Sequence, residues 1–187
     1  MINKSNLNDF AISEEMYAWL EENLPEGSTI LEFGSGTGTI ELTKRYTVYS
    51  VEQSKEFVGV APLSTYIHAP LKDGWYDAEI VFDNIPKEYD LLLIDGPGGS
   101  NYRNNISKYW DRLNLEVPML FDDTHRGKEL AFAKETAERF NKSMEIIPGH
   151  QNQLLPFVLY SGFKILRYVK STIFHLGSTT LTYRYYR

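Results

Sequence analysis

From Thr29 onward, short apolar runs alternate with amphipathic stretches. The runs Thr29–Phe33, Thr47–Glu52, Thr65–His68, Tyr89–Asp95, Val117–Asp122 and Met144–Ile147 have the length of strands. Leu91-Leu92-Leu93-Ile94 contains no polar residue, as a strand covered on both faces should read. Helices are expected between the runs, at Thr39–Tyr46, Ser54–Val60, Trp75–Asn84, Tyr102–Leu113 and Arg126–Asn141. One more precedes the first strand: Ser13 caps it, Glu14 and Glu15 suit its first turn, and Met16, Trp19 and Leu20 form its apolar face. Phe157–Tyr160 reads as a final antiparallel strand. This alternation predicts an α/β three-layer sandwich around a doubly wound, mostly parallel, seven-stranded sheet.

Residues 1–160 suffice for that domain, and residues 161–187 form a basic, aromatic extension. Ile165, Leu166, Val169, Ile173 and Leu176 recur there at helical spacing, with Lys164, Arg167 and Lys170 between them. Thr179–Arg187 alternates instead as a strand or hairpin would. Three readings stand open: packing on the same domain or a second subunit of a homodimer, a basic amphipathic helix at an anionic membrane surface or acidic substrate, and a strand.

Composition narrows the class. The chain has no cysteine, which excludes disulfides, thiolate zinc sites and cysteine nucleophiles. The start lacks a signal-like apolar core, and no apolar run approaches the roughly 18 residues that span a bilayer. A cytoplasmic protein is expected. All 25 acidic residues lie at or before Glu145, which leaves the body acidic and the last 42 residues at +5. An acidic body argues against nucleic acid as a partner.

The chemistry starts at the first strand's end. In Thr29-Ile30-Leu31-Glu32-Phe33-Gly34-Ser35-Gly36-Thr37-Gly38-Thr39, glycines alternate where a buried strand should turn into a helix and let a ligand reach bare backbone. The second strand stops at Glu52, the position from which an acid takes ribose hydroxyls in nucleotide-binding α/β folds. Loop and acid together describe an adenosine-containing ligand. The dinucleotide pattern G-x-G-x-x-G needs glycine at position 39, which is Thr39.

The spacing is G-x-G-x-G with Glu32 two residues ahead of Gly34. In this the sequence resembles the class I S-adenosylmethionine-dependent methyltransferases, whose Rossmann-like domain carries E-x-G-x-G-x-G after its first strand. The resemblance spans about Thr29 to Tyr160 and is specific at the glycine loop. It implies a cofactor site of Glu32, Gly34, Ser35, Gly36, Gly38, Glu52, His68 and Asp95, with His68 near the adenine.

Asp95 and the Asp122-Asp123 pair end adjacent strands. Like carboxylates sharing a site repel, so something positive should lie between them. Here the sequence looks like the metal-dependent O-methyltransferases, which implies Mg²⁺ or another divalent cation on Asp95, Asp122 and Asp123, holding substrate oxygens. Without a metal, Asp123-Thr124 reads as a helix cap. The bases of those enzymes fall on Pro97 and Gly98 here, so neither carries over. His125 is the substitute general base, with Asp95 beside the transferred methyl. Arg126 either neutralises an anionic substrate or pairs with Asp123.

The loop from Gly96 to Asn101 suits a gate over the substrate, or a plain connection. Trp75 and Tyr76 either flank the adenine or pack in the core. The expected activity is methyl transfer to a small-molecule oxygen. Its rivals are a nicotinamide-dependent oxidoreductase and a noncatalytic binding protein of the same fold.

Overall fold

A computed structural model describes residues 12–99, 102–148, 154–160, 171–176 and 179–184. The elements run α1 (Glu14–Asn23), β1 (Thr29–Phe33), α2 (Thr37–Leu42), β2 (Thr47–Glu52), β3 (Thr65–His68), β4 (Leu71–Lys72), β5 (Trp75–Tyr76), α3 (Ala78–Asn84) and β6 (Leu91–Ile94). A 3₁₀ segment, Arg103–Arg112, follows, kinked at Tyr109. After it come β7 (Met119–Phe121), α4 (Gly127–Arg139), β8 (Ser143–Pro148), β9 (Leu154–Tyr160), β10 (Ser171–Leu176) and β11 (Thr179–Arg184).

The main sheet has the order β10-β11-β8-β9-β7-β6-β1-β2-β3, and β4 with β5 makes a separate hairpin. From β3 through β7 all pairings are parallel. β9 runs antiparallel between β7 and β8. β3, β2, β1, β6 and β7 form the parallel centre of the doubly wound sheet, and β9, β8, β11 and β10 extend it to nine strands. Thr182 and Tyr183 pair in parallel with Glu145 and Ile146.

The pleat explains why two cores form. Successive residues of a strand face opposite sides, so Leu31, Phe33, Leu92, Ile94 and Phe121 join Val81, Ile106, Trp110 and Phe132 in one core. Ile30, Leu91, Leu93 and Leu120 join Met16, Trp19 and Leu20 of α1 and Leu42 of α2 in the other. Ser13 caps α1 as expected, accepting from the Met16 amide at 3.1 Å.

Several boundaries differ from the sequence reading. Residues 55–59 form turns rather than a helix, held by i to i+3 bonds such as Phe57 N–H to Ser54 O at 3.1 Å. Two serine hydroxyls, a glycine and a proline nearby favour turns over helix propagation. Trp75 and Tyr76 lie in β5, fully buried, so they serve the core; Trp75 stacks on Tyr109 with centroids 4.8 Å apart. In the C-terminal extension, Ile173 and Leu176 fall in β10, so their spacing there is that of a strand. Residues 161–170 and 185–187, which carry the rest of those readings, lie outside the described residues, as do Ser100 and Asn101 of the expected gating loop.

Candidate active site

Strand order reverses direction between β1 and β6, which makes the crevice beyond their carboxyl ends the switch point where open α/β sheets bind ligands. The two loops leaving it touch directly. The amides of Asp95 and Gly96 both donate to the Phe33 carbonyl. Gly34 has φ +94°, and a Cβ on it would lie 2.8 Å from the Gly96 nitrogen. Glycine is thus required at 34 by the neighbouring loop before any ligand is considered.

Beneath the glycine loop lies a network of hydroxyls. The Thr39 hydroxyl accepts from the Gly36 amide at 3.2 Å and donates to the Glu32 carboxyl at 3.0 Å. Ser35 Oγ lies 3.2 Å from Thr39 Oγ1 and 2.8 Å from the Tyr66 hydroxyl. Ser50 Oγ lies 2.7 Å from Glu32 Oε2 and 2.8 Å from Ser64 Oγ, and Ser64 in turn donates to the Val48 carbonyl. Burial, aided by the nearby Asp95, pushes the Glu32 carboxyl up to about 8. Ser50 and Thr39 both donate to this carboxyl, which opposes the rise.

These contacts engage the Glu32 carboxyl from beneath the glycine loop. Its side chain points into the α1–α2 side of the sheet and braces the loop from below, because the pleat places it opposite Leu31 and Phe33. Thr39, marked in the sequence only as a missing glycine, is the residue that ties loop to brace.

Glu52 ends β2 almost fully buried. Its Oε2 accepts from the Ser35 amide at 3.0 Å and its Oε1 from the Ser54 amide at 2.7 Å. One carboxylate thus joins the glycine loop to the loop after β2. Burial raises its pKa, opposed by those amides. His68 pairs with Glu52 across β2 and β3, and its Nε2 lies 3.3 Å from the Gln53 carbonyl. Two buried polar atoms around this junction have no partner: Gln53 Oε1 and the Tyr76 hydroxyl. The latter lies 2.3 Å from where a Gly96 Cβ would sit, against the two touching loops. The Glu52 carboxylate keeps lone pairs that these amides do not use.

On the other side of the crevice the aspartates do come together. β7 ends at Phe121 and Asp123 has φ +59°, so Asp122 and Asp123 have left the strand. The cation between them is an arginine. Arg103 Nη2 lies 3.3 Å from Asp95 Oδ1 and 3.1 Å from Asp123 Oδ2, and it also donates to the Asp95 carbonyl. Nη1 donates to the Asp122 carbonyl at 3.1 Å. The Asp122 carboxylate turns to the Asp123 amide, 2.6 Å away. Among the described residues no group of three His, Asp or Glu side chains converges as a metal would require. The expectation of Mg²⁺ or another divalent cation on Asp95, Asp122 and Asp123 is therefore corrected: this donor set does not fit one, because a guanidinium stands at the shared point. Burial and mutual repulsion raise both the Asp95 and Asp122 carboxyls, and Arg103 opposes the rise.

Arg126 pairs with Asp123 at 3.0 Å, the second of its two readings. α4 begins after Arg126 without a side-chain cap, so Asp123 is an ion-pair partner rather than a cap. His125 is exposed, its Nδ1 4.0 Å from Asp123 Oδ1. Beside Arg103 opens a cavity lined by Gly99, Tyr102, Asn104, Lys128, Glu129 and Phe132. Arg103 was missed because an arginine in an amphipathic segment reads by default as solvent-facing; the only signal was the unbalanced charge of the aspartates.

No family model matches the sequence, and no curated protein matches it. Among solved structures, a methyltransferase from Pyrococcus furiosus is similar at 18% identity and TM-score 0.52, over 79% of this chain and 82% of that one. A putative rRNA-methylase from Clostridium thermocellum is similar at 12% identity and TM-score 0.52, over 82% and 96%. A putative methyltransferase from Pseudomonas syringae is similar at 15% identity and TM-score 0.51, over 79% and 96%. The chain has the Rossmann-like methyltransferase fold. At the carboxyl ends of β1, β2, β3 and β6 stand Gly34, Ser35, Gly36, Glu52, His68 and Asp95, with Gly38 buried in α2, Glu32 below the glycine loop, and Asp122, Asp123 and His125 following β7.

Proposed function

We propose that this protein binds S-adenosylmethionine in the crevice at the carboxyl ends of β1 and β2 and transfers its methyl group to an oxygen of a small molecule. The observation that carries the reading is Glu52. It is a buried carboxylate on the last residue of β2, held by amides of both flanking loops, with unpartnered Gln53 Oε1 nearby. That arrangement fixes two acceptor oxygens where the hydroxyls of a ribose can donate.

In this reading the backbone of Gly34, Ser35, Gly36 and Gly38 faces the amino-acid end of the ligand, Glu52 accepts from the ribose, and His68 and Gln53 border the adenine. When bound, S-adenosylmethionine supplies an electrophilic methyl carbon on a sulfonium. Asp95 and the loop after it face that carbon. His125, oriented by Asp123, takes the acceptor hydroxyl's proton as the oxygen attacks. The C–S electron pair leaves with the thioether product. Such catalysis rests mainly on alignment and exclusion of water. No step runs through a metal.

Calorimetric titration tests the first half. Wild-type protein should bind S-adenosylmethionine and not NAD or NADP, and Glu52→Ala should lose binding while remaining folded by circular dichroism. Tight NAD binding without S-adenosylmethionine binding would reverse the assignment to the oxidoreductase. Transfer of labelled methyl to a small-molecule extract tests the second half. Binding without transfer favours the noncatalytic reading, for which the engagement of Asp95 and Asp123 by Arg103 speaks. A cytoplasmic location and a homodimer remain part of the proposal; among the described residues, no helix is long and apolar enough to cross a membrane.

A further inference from the structure

We infer that Arg103 is the resident cation of the aspartate site, doing inside the chain what a divalent ion would do, so that the wild-type site takes no divalent metal. Three carboxylates gathered at the ends of β6 and β7 repel one another and need a positive partner. Arg103 is placed to be that partner. It is buried, and it reaches all three aspartates: the carboxylates of Asp95 and Asp123 at 3.3 and 3.1 Å, and the carbonyl of Asp122 at 3.1 Å. A planar guanidinium with several donors can bridge such a set, which a lysine ammonium on a flexible stem matches poorly. Arg126 adds a second positive charge on Asp123 from the solvent side at 3.0 Å.

A hard divalent ion needs oxygens converging at about 2.0–2.6 Å on one point. Here the point shared by Asp95 and Asp123 is occupied by Nη2, and the Asp122 carboxylate is committed to the Asp123 amide at 2.6 Å. Charge and space are both taken. Arg103 is accordingly a positioning residue: it fixes the loop after β6 against the loop after β7, and with them the mouth of the cavity between the 3₁₀ segment and α4.

The inference concerns the same crevice as the methyl-transfer reading but does not depend on it, since the test reads metal binding and thermal stability. Full-length protein, wild type and Arg103→Gln, is titrated with Mn²⁺ alone, with bound ion followed by electron paramagnetic resonance and unfolding by calorimetry. Wild type should give no bound signal and a thermal midpoint unmoved by EDTA, Mg²⁺ or Mn²⁺. Arg103→Gln should unfold at lower temperature, gain a bound-Mn²⁺ signal, and recover part of its midpoint when the ion is added. Adding Asp95→Asn to that variant should abolish the gain. The inference is overturned if wild type binds Mn²⁺ and loses it on Asp95→Asn, a result that needs no arginine variant to fold. It is equally overturned if folded Arg103→Gln binds no more Mn²⁺ than wild type, because a purely structural arginine would lower stability without opening a metal site.

Discussion

The two walls of the crevice meet the same problem by different means. Both bury carboxyl groups where parallel strands end. On the β1–β2 wall, Glu32 and Glu52 are matched by hydroxyls and backbone amides, with Glu32 held neutral by burial. On the β6–β7 wall, Asp95 and Asp123 are matched by full positive charges on Arg103 and Arg126. The difference follows from depth and from the number of acids. Glu32 keeps its proton and Glu52 is held by backbone amides, whereas the three aspartates at one junction also draw on positive charge. One wall is a rigid polar cradle; the other is a set of charges whose balance can be changed.

The sharpest way to break this contrast is to remove the charge from the second wall. Arg103→Ala should cost about 3 kcal/mol, since it leaves the half-buried Asp95 carboxylate without its partner and Asp123 with Arg126 alone, and urea denaturation at neutral pH reads the loss. A milder effect would mean that the aspartates are solvated enough to stand alone. Next is the contact that joins the walls. Gly34→Ala places a Cβ 2.8 Å from Gly96 N in a backbone of φ +94°, and should destabilise by about 2–3 kcal/mol in the same assay.

The third prediction concerns protonation on the first wall. Glu32 sits at about 8 when folded and near 4.5 when unfolded, so between those values the native state holds a proton the unfolded chain has released. Its contribution to stability is fully present below pH 4.5, falls as pH rises through that window and is flat above it. Each pKa unit is worth about 1.4 kcal/mol, which ranks this effect above the loss of one hydrogen bond. Glu32→Gln cannot ionise and should flatten the fall, as read by denaturation midpoints at pH 5 and pH 8. A variant as pH-dependent as wild type would place the titration elsewhere, at the raised carboxyls of Glu52, Asp95 or Asp122. The smallest effect is expected from Thr39→Val. It removes one hydroxyl shared by Gly36 and Glu32 and should cost about 1–2 kcal/mol, with little change at the aspartate wall.

Legibility in the sequence divided along the same line. β1, β2, the glycine loop and Glu52 were readable because each depends on spacing within a few residues: an apolar run, glycines at alternating positions, an acid at the next strand's end. The cap at Ser13 was readable for the same reason. The turns at 55–59 were not, because an amphipathic-looking stretch without strong propensity is decided by where the flanking strands hold its ends. The need for a positive charge among Asp95, Asp122 and Asp123 was visible, but not its source. Arg103 comes from a 3₁₀ segment whose local pattern says only that one face is apolar, with Ile106 and Trp110 buried.

Sequence alone therefore determined the alternation of strands and helices, the parallel sheet, the glycine turn after β1 and the acid ending β2, because hydrophobic period and backbone freedom are local properties. Tertiary structure decided which polar groups meet: that Thr39 joins Gly36 to Glu32, that Glu52 spans two loops, and that Arg103 rather than a metal sits among the aspartates. Those pairings join residues up to 20 positions apart in sequence, as Arg103 and Asp123 are, and charge compensation requires only that the partner arrive, not where along the chain it comes from.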